Sequence, residues 1–276
     1  MIESLTIDLS LIDTGLYLLT GAFAGFAAGL LGIGGGLIIV PVLYLIFSSQ
    51  GYEQQHVMHM ALATSLATIV VTSISSTLAH HKKKAVLWHI VLLLAPGICL
   101  GAWFGAVIAS QLNTDILKPL FGVFELCVAF LMLTQLQSKQ HHLTIKPANA
   151  FFGGNIIGGL SAIVGIGGGT LTVPFLHWHN INIKNAVATS AACGFPIAIF
   201  GTASYVVNGW QIVTTASISE HGLLGYVQLT AFAIIAIGSF LFAPLGAKLA
   251  HQFSDIKLKK VFALFLLAMG IKMLLD

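Results

Sequence analysis

Two copies of one glycine-rich element, set 133 residues apart, constrain this chain more than any other feature. Gly32-Ile33-Gly34-Gly35-Gly36, with Val40-Pro41 behind it, returns as Gly165-Ile166-Gly167-Gly168-Gly169 with Val173-Pro174 behind it. Ala63-Thr64-Ser65 returns as Ala188-Thr189-Ser190, and Gly105-Ala106, Leu117-Lys118 and Met132 return as Gly246-Ala247, Leu258-Lys259 and Met273. Anchors that recur in one order at offsets of 133, 125 and 141 mark an internal duplication. The first repeat covers 1–137, a polar linker 138–147, and the second repeat 148–276.

Each copy must fold in lipid. Of 276 residues, 57% are hydrophobic and 8% charged, against about 25% charged in soluble domains. Stretches of roughly 20 apolar residues, enough to cross about 30 Å of hydrocarbon, lie near 60–80, 88–109 and 116–136. In the second repeat they lie near 185–208, 223–248 and 257–275. The glycine elements are different. Residues 16–47 run apolar for about 48 Å if helical throughout, too long for one upright span, with the glycines between shorter runs. Residues 148–179 repeat that layout. The expected fold is all-α and polytopic, each half holding one glycine-broken re-entrant element and three transmembrane helices.

Lysine decides between two topologies, because cytoplasmic loops are enriched in it. Eight complete spans divide the twelve lysines six against six. Two re-entrant elements put Lys82, Lys83, Lys84, Lys139, Lys146, Lys184, Lys248, Lys257, Lys259 and Lys260 on one face, leaving Lys118 and Lys272 on the other. Three true spans per half is an odd number, so the second split makes the halves inverted-topology repeats with the N-terminus outside. That terminus carries Glu3, Asp8 and Asp13 and no lysine, unlike a secretory leader.

The glycines carry the chemistry. A dinucleotide fingerprint needs a preceding strand and a third glycine where Leu37 stands, so no nucleotide cofactor is implied. Four glycines in five positions exceed what helix packing needs. They let the backbone leave the helix at a depth where its N–H groups survive only if they line a cavity or are covered by protein. The helix restarting at Leu37 or Thr170 aims its positive end at that place, which favours an anion. Gly32, Gly34, Gly35, Gly36, Gly165, Gly167, Gly168 and Gly169 are therefore the candidate binding residues, with Thr64, Ser65, Thr189 and Ser190 as hydroxyl donors and Asn155 and Ser161 as weaker candidates. Pro41 and Pro174 kink or end the returning helices. No arginine is present, so the usual bidentate oxyanion clamp is absent.

Glu125 is the single carboxylate deep in a span, and its counterpart is Leu266. Intramembrane carboxylates are costly and often functional, so proton coupling is one reading and a neutral, hydrogen-bonded acid the other. The histidine pairs His56/His59, His80/His81, His141/His142 and His177/His179 fall in loops on both faces and read as solvated, without a metal. Cys99, Cys127 and Cys193 are dispersed in apolar segments. No nucleophile–base pair suggests an enzyme, and no basic patch suggests nucleic acid. The partners are a small anionic substrate and the bilayer, and nothing indicates a homo-oligomer.

The duplicated GIGGG-x-x-x-VP element followed by Ala-Thr-Ser resembles the TauE/SafE family of membrane permeases over essentially the whole chain. The resemblance implies a transporter of a bacterial or archaeal cytoplasmic membrane, with sulfite and small organosulfur anions as its substrates. A passive anion channel, or a permease for a carboxylate, fits the same composition.

Overall fold

The computed structural model describes residues 11–32, 34–134, 145–215, 222–249 and 256–275. Among these the chain forms α1 Leu11–Leu31, α2 Gly36–Ser49, α3 Gln54–Lys82, α4 Trp88–Ser110 and α5 Thr114–Thr134. Then follow α6 Pro147–Val164, α7 Gly169–Trp178, α8 Ile183–Thr215, α9 Leu229–Leu249 and α10 Ile256–Leu275. A two-residue hairpin, β1 Leu223–Leu224 with β2 Val227–Gln228, precedes α9.

Six of these helices are long and apolar enough to cross a membrane: Ile12–Leu31, Gln54–Lys82, Trp88–Ser110, Thr114–Thr134, Ile183–Trp210 and Leu229–Leu249. Their outward sides are apolar; Leu92, Phe104, Phe130 and Ile237 are all exposed, as lipid-facing residues must be. The six are not the six expected. Helix α1 qualifies by itself, because it starts at Leu11 and not at 16, and 21 residues rise about 31 Å. Helix α10 runs Ile256–Leu275, and its apolar stretch among the described residues is Phe262–Leu275. The stretch read as helical from 223 begins instead with the hairpin, which turns at Gly225 with φ 57°.

Four histidines expected in solvated loops, His56, His59, His80 and His81, belong to α3, and two of them are buried. His59 and His80 are buried, and their Nε2 atoms bond the carbonyls of Leu112 and Gly29 at 2.8 and 3.1 Å. His141 and His142 lie outside the described residues.

Small residues set which helices touch. A Cβ on Gly21, Gly25 or Gly29 of α1 would run into the backbone of Ile235, Ser239 and Ala243 of α9. Equivalent groups at Gly97, Gly101 and Gly105 of α4 would strike the backbone of α6 at Phe151, Asn155 and Gly159. Three glycines four apart let the axes close to backbone contact, which supplies van der Waals packing where lipid gives no hydrophobic drive. Residue numbers rise together in both pairs, so α1 runs with α9 and α4 with α6.

The polar contacts fix the other directions. Ser75 Oγ donates to the Phe240 carbonyl, and Lys83 Nζ to that of Ala247, so α3 runs with α9. Leu87 N–H donates to Thr189 Oγ1 and Ser204 Oγ to the Trp103 carbonyl, so α8 runs with α4. Gly194 faces Ser73 while Gly201 faces Leu66, so α3 and α8 oppose. Tyr17 near the start of α1 bonds Gln50 at the end of α2, which brings the α1–break–α2 element back to the end where it began.

Candidate functional site

The helical breaks fall at 32–35 and 165–168. Gly35 and Gly168 serve as N-caps of α2 and α7 at φ 81° and 74°, a left-handed conformation open to glycine and strained for residues with a Cβ. Each break reverses the chain in a few residues, and the two meet. A Cβ on Gly34 would lie 2.6 Å from the Gly167 Cα, and one on Gly36 would lie 2.8 Å from the Ile166 Cα. The breaks therefore cross at backbone contact, and the N-terminal ends of two short helices start from that crossing. Eight glycines at two widely separated places in the chain become one locus.

The hydroxyls of the Thr-Ser pairs brace it. Ser65 Oγ donates to the Gly165 carbonyl at 2.8 Å, and Ser190 Oγ donates to the Gly32 carbonyl at 3.2 Å and to that of Val187 at 2.8 Å. Each serine of one half thus holds the break of the other. Thr64 Oγ1 accepts from the Gln228 N–H at 3.0 Å, and Thr189 Oγ1 from the Leu87 N–H at 3.1 Å. All four are fully buried. A serine hydroxyl has one proton, already given to a carbonyl in Ser65 and Ser190, so these two shape the break; Thr64 and Thr189 keep theirs. Ser65→Ala and Ser190→Ala should each leave a buried carbonyl short of a donor and cost about 1–3 kcal/mol. A lowered melting temperature for both in detergent checks this.

Beside the crossing lies a small cavity, bordered by Gly32, Gly34 and Gly167 of the breaks and by Thr72, Ser73 and Ser76 of α3. Its interior has room for about one water and not for a solvated oxyanion. It sits toward the C-terminal end of α3, the end carrying His80-His81-Lys82-Lys83-Lys84. Ala191 and Gly194 of α8 leave the space open. At the 125-residue offset their counterparts are Leu66 and Ile69, and that of Thr72 is Ile197, all three fully buried. The opposite side of the crossing is therefore filled by side chains.

Thr72, Ser73 and Ser76 escaped sequence reasoning. Spread along α3 among apolar residues, they read as ordinary helix serines and threonines bonded to their own backbone. Thr72 and Ser73 do bond that way, and Ser76 Oγ has no partner. Asn155 is half-buried, its backbone against Gly97 and Gly101.

Glu125 sits on α5 with no exposed surface, and neither carboxyl oxygen has a hydrogen-bond partner. The hydrogen-bonded version of the neutral acid is thus not what the fold provides. Removing an unbonded buried polar group costs little, and an apolar residue of similar shape can stabilise. Glu125→Leu, copying Leu266, should raise the melting temperature. Glu125→Gln, which keeps the shape of the neutral acid, should retain at least half of any potential-driven flux; loss of flux in a well-folded variant would assign Glu125 to proton coupling.

Among the described residues no cluster of three or more His, Cys, Asp or Glu could hold a metal. The crossing offers backbone N–H groups, hydroxyls and two positive helix ends, which together suit a small anion held loosely enough to leave.

The profile of the family described as "Sulfite exporter TauE/SafE" matches residues 17–273. A probable membrane transporter protein of Haemophilus influenzae is 40% identical over 94% of this chain and 97% of its own length. One from Methanocaldococcus jannaschii is 30% identical over 94% and 95% of the two chains, and one from Xylella fastidiosa is 29% identical over 91% of each. No solved structure matches.

Proposed function

The chain belongs to the TauE/SafE sulfite exporter family, a family of multi-pass membrane transporters, and from that premise we propose that it is a permease for sulfite or a related organosulfur anion. The observation that carries the reading is the backbone crossing at Gly34 and Gly167, where both short helices begin. Helix N-termini concentrate unbonded N–H groups and partial positive charge, and discontinuous helices aimed at a midplane site are a recurrent transporter device. The site consists of Gly32, Gly34, Gly35, Gly36, Gly165, Gly167, Gly168 and Gly169. Thr64 and Thr189 keep a hydroxyl proton to donate, and Ser65 and Ser190 hold the loops in shape.

The halves act as inverted repeats. Helix α3 opposes α8, its counterpart, and α4 runs with α8 while α9 runs with α3, so α4 opposes α9 as well. Each α1-type element returns to the face it left, three further helices cross, and the second half starts from the other face. The ten-to-two lysine split then puts Lys82–Lys84 inside, so the cavity beside Ser76 faces the cytoplasm and the side filled by Leu66, Ile69 and Ile197 faces out. An anion leaving a cell that is negative inside gains about 2.3 kcal/mol per charge per 100 mV, so export needs no coupled ion.

Two measurements test this. Equilibrium binding to purified protein should rank sulfite above acetate and chloride; equal affinity for all three would remove the organosulfur assignment and leave the carboxylate permease or the channel. Single cysteines at 50 and 83 should be labelled by an impermeant maleimide from opposite faces, outside and inside respectively, and labelling from the same face would refute the inverted arrangement.

A further inference from the structure

The two breaks share their glycines but not their surroundings. At the offset of 133, Ser161 and Thr172 near Gly168 correspond to Ala28 and Ile39 in the first half. Ser161 and Thr172 are fully buried, and neither hydroxyl has a hydrogen-bond partner. Both point at one spot. A Cβ placed on Gly168 would lie 3.5 Å from Ser161 Oγ and 3.4 Å from Thr172 Oγ1. That spot is the N-terminal end of α7, a ten-residue helix whose Gly169 and Thr170 N–H groups have no carbonyl within the helix to bond. The same Cβ would strike Ile197 Cδ1, so this α8 side chain covers the spot.

Most other buried hydroxyls are bonded, Ser76 and Thr77 of α3 excepted. Ser65, Thr68, Ser75, Ser190 and Ser239 all donate to carbonyls. A buried hydroxyl that makes no bond costs stability, and an apolar group of the same shape would not. The first half shows that alanine and isoleucine are accommodated at the matching places. Two idle donors converging on a helix N-terminus form the kind of donor set that a small oxyanion needs.

We propose that Ser161 and Thr172, with the first turn of α7, form an oxyanion subsite confined to the second half, closed from one side by Ile197. It rests on the permease reading and deepens it. The first break supplies backbone only, the second supplies backbone and two hydroxyls, and the anion is therefore bound asymmetrically between halves of matching glycine pattern. Sulfite fits the chemistry, since it has three acceptor oxygens for two O–H and two N–H donors. The side chain of Ile197 must turn aside for it to enter, which makes Ile197 the residue whose size sets access from the side opposite the cytoplasmic cavity.

The test is binding of radiolabelled sulfite to purified protein, with melting temperatures measured in parallel. Ser161→Ala and Thr172→Val should each weaken sulfite binding at least tenfold, in line with hydrogen bonds to a charged ligand, and together about a hundredfold. Neither should lower the melting temperature, because neither hydroxyl bonds anything in the resting protein. Ile39→Val, at the matching place in the first half, should leave affinity within twofold. Affinity within twofold of wild type in the Ser161→Ala/Thr172→Val double variant overturns the subsite while leaving the permease reading in place. Lost binding accompanied by a lower melting temperature assigns the hydroxyls to packing and overturns it too. Wild-type protein that binds neither sulfite nor any other small oxyanion overturns the permease reading, and the subsite with it.

Discussion

Gly34→Leu is expected to abolish transport, lowering flux per folded molecule at least a hundredfold. The position has φ 78°, where an L-residue costs about 1–2 kcal/mol, and its Cβ would press on the Gly167 Cα. A leucine there pushes the two breaks apart and fills the place where an anion would lie. Gly168→Leu, at φ 74° against Ile197, should act in the same way from the other half. The strain alone would lower the amount of folded protein. For that reason flux is read per molecule recovered as a monodisperse peak, and parental flux in either variant would remove the crossing from the pathway.

Gly25→Leu and Gly101→Leu are expected to fail earlier, at assembly. Each is the middle glycine of a triplet, and each faces a neighbouring backbone, that of Ser239 or of Asn155. A side chain there must part α1 from α9 or α4 from α6 by several ångströms, forfeiting close contact along most of a helix, which is the main source of helix association in lipid. Loss of most folded protein on size-exclusion chromatography is the expected result. The difference between the two sets is itself a check. The packing glycines should set the yield, the break glycines the rate.

The glycine breaks were legible because the duplication displays them twice and because four glycines in five positions exceed what helix packing needs. Their crossing was not. Gly34 and Gly167 are 133 residues apart, and nothing local says that a loop of one half rests on a loop of the other. The start of α1 was obscured by Asp13 and Thr14, polar residues that end an apolar run on paper but not a helix. The hairpin at 223–228 was hidden because Leu-Leu-Gly-Tyr-Val-Gln continues into the apolar run of α9, and only Gly222 and Gly225 mark the turn. Ser65 and Ser190 stood out by recurrence, yet recurrence could not separate a brace from a ligand; the carbonyls they hold belong to the opposite half. Thr172 gave no signal at all. Its hydroxyl acquires meaning only when α6 brings Ser161 to the same spot, and one chain position cannot announce a partner eleven residues away across a reversal.

Flux of sulfite in proteoliposomes holding purified protein, with an imposed potassium diffusion potential, tests the central claim most directly. The account predicts sulfite movement that saturates with concentration, runs toward the positive side, and falls to the level of empty liposomes in Gly34→Leu. Sulfite movement no faster than in empty liposomes at either sign of potential, or equal flux in Gly34→Leu, would contradict it.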